Sequence, residues 1–244
     1  WDVAPPGAST ELAQWSTEHF QQHGRPLRLA VDARYWQNYF ENYPEVKRLQ
    51  TYDPEKNEVE KTIMFQIMTL LELSIHLIFV FDGPDSYYHD NADSKINTPE
   101  RLRLLKDLLN HLGVPFHQAP AEAGPTCVRL QELGVVDAAW TNHSTALTRE
   151  CQVVVVFKMQ NRDWKGISEE SVIKHEATAL MQEKGLDQSS LVLGLLLGGC
   201  EYAKGIPGVS HDTALKIAQK AGRLAKTMYD AFHDDGDKIQ MNKW

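Results

Sequence analysis

Two short apolar runs that close on aspartates set the tightest limits on what this chain can fold into. The segment from Leu27 to Ala33 reads LRLAVDA and carries Asp32 near its end. Leu77 to Phe81 is continuously apolar and is followed at once by Asp82. Arg25-Pro26 punctuates the start of the first run, and Asp82-Gly83-Pro84 ends the second. Runs of this kind predict strands buried on both faces, as in a parallel sheet. Two parallel neighbours need a long crossover between them. From Val59 to Ser74 the residues Ile63, Ile67, Leu70 and Leu71 recur at helical spacing and supply one. The polar stretch from Tyr43 to Lys56 holds Pro44 and Pro54 and is expected to be a loop.

The pattern continues. Residues 84–97 are polar and irregular. Pro99 to Leu112 predicts a helix with Thr98 as its N-cap, Pro99 at its first position and Gly113 at its stop. A helix is expected from Ala123 to Leu133, with Pro125 tolerated in its first turn. Short strands are expected at Asp137–Thr141 and Val153–Phe157, then helices at Glu169–Lys184 and Leu191–Leu197. Alternation through the first 160 residues or so argues for an α/β fold, with a mainly parallel twisted sheet flanked by helices and a helical remainder. A single domain over 1–244 is expected, read as 1–97, 98–185 and a helical part 186–244. With 42% apolar residues the chain can build a sizeable core, and no uninterrupted apolar stretch is long enough for a membrane helix. No targeting signal is visible in the pattern.

Charge and cysteine usage narrow the function classes. The net charge is −8, from 25 Lys and Arg against 33 Asp and Glu. That total argues against broad, tight nucleic-acid binding but leaves room for a local basic patch. Cys127, Cys151 and Cys200 are odd in number and far apart, so neither a disulfide framework nor a zinc cluster is expected. A reducing intracellular compartment, the nucleus included, fits this usage.

Four blocks then stand in order along the chain: LAVDARYWQ (Leu29 to Gln37), FVFDGP (Phe79 to Pro84), the run from Leu108 to Leu147, and LLLGGCEYAKGIPGVSHDTALKIAQKAG (Leu195 to Gly222). Together they resemble the flap-endonuclease/XPG family of structure-specific nucleases, most closely its Holliday-junction-resolvase branch. The resemblance implies a PIN-like nuclease core with a C-terminal helix-two-turn-helix. It also implies that the opening WDVAPP follows a missing methionine-glycine terminus. Phosphodiester cleavage can use two divalent cations about 3.5–4 Å apart, held by carboxylates. Asp32, Asp82 and Glu122 match the family's carboxylate pattern, and Glu201 stands for an aspartate.

The departures from that pattern point the other way. Gly124 replaces a second glutamate of the third block, and His143 and Thr145 replace an acidic pair. Residues 84–100, where the resemblance implies a Lys- and Arg-rich arch, contain one cation, Lys95, against Asp85, Asp90, Asp93 and Glu100. Asp32, Asp82, Glu122 and Glu201 are therefore expected to be vestigial. With His143 they form a candidate set for one ion at most, Mn²⁺ or Zn²⁺ rather than a Mg²⁺ pair. An empty pocket with a shared proton is the other outcome.

The fourth block keeps a nucleic-acid role. Lys204, Gly205, Gly208, Ser210, Lys216, Lys220 and Arg223 make the candidate DNA-backbone contacts, and the resemblance implies a monovalent cation at the same hairpin. A solvated helix face would carry the same lysines. The aromatic cluster Tyr35, Trp36, Tyr39, Phe40 and Tyr43 reads either as a wedge that stacks on an exposed base pair or as helix packing against the sheet. Tyr87 and Tyr88 are candidates for a protein contact. Three functions stay open: a non-catalytic pseudonuclease binding DNA weakly or a protein partner, an active endonuclease with a reduced metal site, and a structural subunit of a larger assembly. No membrane contact is expected, and the oligomeric state is open.

Overall fold

The computed structural model describes residues 7–52, 56–86, 99–143, 146–147, 152–157, 171–200 and 203–234, with side chains to residue 222. β1 (Ala8–Glu11) leads directly into α1 (Leu12–His23). β2 (Arg28–Asp32), α2 (Ala33–Glu41), α3 (Pro44–Tyr52), α4 (Glu58–Glu72) and β3 (His76–Phe81) follow. After them come α5 (Pro99–Leu112), β4 (Phe116–Gln118), α6 (Ala123–Glu132) and β5 (Ala138–Trp140). The last elements are β6 (Val153–Phe157), β7 (Ser171–Glu176), α7 (Ala177–Lys184), α8 (Gln188–Gly198) and α9 (His211–Asp234), the last kinked at Gly222.

The strands form one seven-stranded sheet in the order β1-β7-β6-β5-β2-β3-β4. The five strands β2 to β6 pair in parallel, and β7 and β1 close one edge antiparallel. The α/β expectation with a mainly parallel sheet holds. Strand pleating sorts the core into two layers. Leu29, Val31, Leu77, Phe79, Phe81, Ala138, Trp140 and Val155 face one side, where Trp36, Phe40, Ile63, Ile67, Leu70, Leu105 and Leu109 from α2, α4 and α5 cover them. The alternate positions Ala30, Val80, Ala139 and Val154 face the other side, against Ala123, Cys127 and Val128 of α6 and Leu180, Leu191, Leu195 and Leu215 beyond it. The second face carries small side chains at β2 and β5, which lets α6 lie close to the sheet.

Two expectations need correcting, and one stretch carries no expectation. The segment 43–56 is not a loop over most of its length. Pro44 begins α3, where its missing N–H costs nothing and its fixed φ suits the first helical turn. The helix expected over Glu169–Lys184 is a strand and a shorter helix. SVIKHE forms β7, with Val172 and His175 buried, and only Ala177–Lys184 is helical. Residues 8–23 hold β1 and α1, although ASTE has no apolar pattern of its own. By contrast Pro99–Leu112 and Val153–Phe157 fall where the sequence places them.

The aromatic cluster of α2 is packed into the core. Trp36 is wholly buried, 4.9 Å from Trp140, 5.3 Å from Phe79 and 5.4 Å from Phe157 between ring centres. Tyr39 stacks on Phe157 at 3.9 Å, and the Tyr35 hydroxyl accepts from the Phe157 amide at 3.1 Å. Burial pushes the Tyr35 phenol well above its usual range. Tyr87 and Tyr88 lie outside the described residues.

Candidate active site and nucleic-acid hairpin

The parallel strands cross over in opposite directions on either side of the β5–β2 pair, and ligand sites of open α/β sheets form at the carboxyl ends of strands at such a point. Asp32 ends β2 there and caps α2, its Oδ1 accepting the Tyr35 amide at 3.0 Å. Its Oδ2 accepts the hydroxyl of wholly buried Thr141, just past β5, at 2.9 Å. The His143 Nε2 lies 3.6 Å from the same oxygen. Asp32 itself is 2% exposed, and this burial pushes its carboxyl above the usual range, with His143 and the two hydrogen bonds only partly offsetting it.

Asp82 follows β3. Its Oδ1 accepts the Ala123 amide at 2.9 Å and so binds the start of α6. Its Oδ2 lies 3.2 Å from Arg34 Nη1, an ion-pair contact with side-chain exposures of 17% and 12% for Arg34 and Asp82. Gln118 donates to the Asp82 carbonyl, and Lys106 donates to Gln118 at 2.8 Å, so the loop after β3 is tied to α5 and β4. Glu122 holds the N-cap position of α6 in an extended conformation, but its side chain does not cap the helix.

Gly124, in the first turn of α6, is where the pocket departs most from an acidic site. A β-carbon built there would stand 2.5 Å from Cδ2 of His143, 3.0 Å from its Cγ and 3.1 Å from its Nε2. The imidazole occupies the space that any side chain at 124 would enter. Gly124 and His143 are therefore one packing unit.

The described residues of the pocket offer few carboxylates to a pair of divalent cations. Among the described residues no three His, Cys, Asp or Glu side chains gather so as to hold a metal ion. Asp32, His143 and Asp82 do converge, and Asp82 is close enough to raise the Asp32 carboxyl further. Thr145 and Glu201 lie outside the described residues, as does most of the acidic stretch after Ser86. Two participants were not singled out from the sequence, Arg34 and Thr141. A usable signal existed for Arg34: a cation in the first turn of a helix has the wrong sign for the helix dipole and calls for a nearby acid.

The C-terminal hairpin joins α8 to α9. Gly205 (φ 67°) has no room for a side chain, since a β-carbon there would fall 2.5 Å from the Gly199 amide nitrogen. Gly208 (φ 82°) makes the second turn, closed by Val209 N–H to Ile206 O at 3.0 Å. Ser210 caps α9, its hydroxyl 3.3 Å from the Thr213 amide and 3.0 Å from the Thr213 hydroxyl. His211 Nε2 contacts the Gly199 carbonyl at 2.9 Å and locks the two helices together. Lys204, Lys216 and Lys220 are exposed, with Asp212 in the first turn of α9. The side chain of Arg223 is outside the described set.

The XPG I-region profile matches residues 113–201, from just before β4 to just past α8. The flap endonuclease GEN homolog 1 of Mus musculus is 29% identical over 180 residues, covering 65% of this chain and 19% of that protein. The solved eukaryotic junction-resolving enzyme GEN-1 binding with sodium is 28% identical, with a TM-score of 0.73 over 98% of this chain and 54% of that one. The Holliday junction-resolving enzyme GEN1, solved in complex with product DNA and Mg²⁺, is 27% identical, with a TM-score of 0.68 over 93% and 53%. Residues 113–201 thus match the XPG I-region, and the chain is similar in sequence and fold to flap-endonuclease/XPG nucleases. It spans about a fifth of the first curated relative and a little over half of the solved chains. Glu122, Gly124 and His143 lie within the matched span. Among the described residues no helix is long and apolar enough to cross a membrane.

Proposed function

We propose that this chain is a flap-endonuclease/XPG-fold pseudonuclease, a binding or scaffold module that does not run two-metal cleavage and engages duplex or branched DNA weakly through its C-terminal hairpin. The observation that carries the reading is the contact of Gly124 with His143. Two positions where the family resemblance implies acids are filled here by a missing side chain and the ring that takes its place. Two of the remaining carboxylates are engaged in holding the fold. Asp32 accepts from Tyr35 and Thr141, and Asp82 accepts from Ala123. A hard cation pair needs several free oxygen ligands at once, and this pocket works without a resident pair.

The hairpin supports the DNA part of the proposal. Its glycine turns permit close approach, and Lys204, Lys216 and Lys220 face solvent. Asp212 and the net charge of −8 oppose phosphate, which argues for few contacts and modest affinity. A relative solved with sodium supports a monovalent cation at the turn carbonyls as part of the same proposal.

The test is to incubate the chain with flap, four-way junction and splayed-arm DNA in Mg²⁺ or Mn²⁺ and to follow binding and cleavage separately. Salt-sensitive binding without cleavage is expected. Metal-dependent turnover that disappears in Asp82→Ala would overturn the reading in favour of an active endonuclease. Absence of binding to every substrate at low salt would remove DNA and leave a protein scaffold.

A further inference from the structure

The Arg34–Asp82 pair assigns a role to a residue outside the expected site. We propose that Arg34 is an internal counter-ion whose guanidinium takes the place of a divalent cation at Asp82 and so closes the pocket to metal. The inference rests on the pseudonuclease reading and says what keeps the pocket in that state.

Three observations converge on Arg34. First, it sits two residues after the Asp32 cap, in the first turn of α2, where the helix dipole disfavours a cation. A charge held there against the dipole needs a compensating acid, and Asp82 Oδ2 at 3.2 Å is one. Second, the pair is withdrawn from water, which makes it less screened than a surface ion pair. A guanidinium also carries its charge throughout the physiological range, so the seat does not empty as pH changes. Third, each oxygen of the Asp82 carboxylate is in contact with a group of the protein, although at Oδ2 the contact with Arg34 Nη1 is a charge pairing and not a hydrogen bond, since Oδ2 is buried without a hydrogen-bond partner. Its Oδ1 takes the Ala123 amide and its Oδ2 faces Arg34.

A divalent cation binds carboxylate oxygens at about 2.0–2.6 Å. It would have to share Asp82 Oδ2 with a guanidinium already in contact, against direct charge repulsion. The loss of acids at 124 and 143 alone would leave a weak site around Asp32 and Asp82. The presence of Arg34 turns a weak site into a closed one. The two positions sit on different elements, α2 against α6 and the end of β5, so they are separable by mutation.

The experiment is Mn²⁺ binding, read by the loss of the free-ion electron paramagnetic resonance signal and by calorimetry, on the wild-type chain, Arg34→Gln, Arg34→Lys and Arg34→Gln/Asp82→Asn. Circular dichroism on each variant confirms the fold. Wild type and Arg34→Lys are expected to bind Mn²⁺ weakly and alike. Arg34→Gln is expected to bind at least about tenfold more tightly, the equivalent of about 1.4 kcal/mol, and to lose that gain in the double variant. Equal affinity in wild type and Arg34→Gln would overturn the proposal, as would a gain that survives Asp82→Asn. If Arg34→Gln does not fold, Arg34→Lys decides, because tighter Mn²⁺ binding with the charge retained contradicts a counter-ion role. Wild-type chain that cuts DNA with Mg²⁺ defeats the pseudonuclease reading itself. Inert wild type with no gain in Arg34→Gln defeats only the role of Arg34.

Discussion

Replacing Gly124 by alanine adds one methyl group, and the structure fixes what that methyl meets. In an ordinary helix the change stabilises by roughly 0.5–1 kcal/mol, because glycine loses more backbone freedom on folding. Here the new carbon would fall 2.5 Å from Cδ2 of His143, well inside van der Waals contact. The imidazole has little room to retreat, with Asp32 3.6 Å away on one side and its own backbone amide bonded to the Thr141 hydroxyl at 3.3 Å. Overpacking of this kind costs about 1–3 kcal/mol. The net expectation for Gly124→Ala is therefore a destabilisation of up to about 2.5 kcal/mol, opposite in sign to the helix propensity. In a His143→Ala background the obstacle is gone, and the same substitution should stabilise by about 0.5–1 kcal/mol. Urea unfolding of the four chains, read with a common slope, gives the coupling directly, at about 1–3 kcal/mol. A coupling below about 0.5 kcal/mol, with Gly124→Ala stabilising in both backgrounds, would show that the two sites do not share a volume.

Two further expectations concern other parts of the molecule. Asp137 binds Arg25 through both carboxylate oxygens at 2.7 Å and also Arg28, and these hydrogen bonds override the upward push of burial and hold its carboxyl well below the usual range. A depressed carboxyl contributes stability above its unfolded pKa of about 3.9 that is lost as pH falls through the folded value; Asp137→Asn should lower Tm at pH 7 and shrink its fall on acidification below about pH 4, whereas an unchanged acid profile would place the acid sensitivity elsewhere. For the hairpin, Lys216→Glu with Lys220→Glu should reduce the magnitude of the log–log salt slope on duplex DNA by about 1.8, two contacts at about 0.9 each; an unchanged slope and affinity would remove this patch.

The parts of the fold that read directly from the sequence are those whose signal is local. β3 is a continuous apolar run, and α5 carries its own proline start and glycine stop, so both were legible residue by residue. α3 was hidden because proline punctuates loops and also opens helices, and the polar residues after it do not separate the two. β1 and β7 were hidden because each is defined by pairing with a distant strand, β1 with β7 and β7 also with β6. Ala8–Glu11 has no apolar pattern, and it becomes a strand only by pairing with Ser171–Lys174. The site divides in the same way. Asp32 and Asp82 could be placed at strand ends from the sequence, and the approach of His143 to Asp32 follows from neighbouring strands. The contact of Arg34 with Asp82 joins two elements through a long side chain, and no spacing rule reports where such a side chain will turn.

The pairing of β1 with β7 also imposes an order of events during synthesis. Glu11 lies opposite Ser171, about 160 residues further along. A ribosome adding roughly 5–20 residues per second needs about 8–30 s to cover that distance. Through that interval β2, β3, β4, β5 and β6 can assemble while Ala8–Glu11 has no strand to join. β1 is thus made before β2 to β6 but zipped in after them, and α1, tethered directly behind it, can dock Leu12 and Ser16 against the growing core while its leading end still waits.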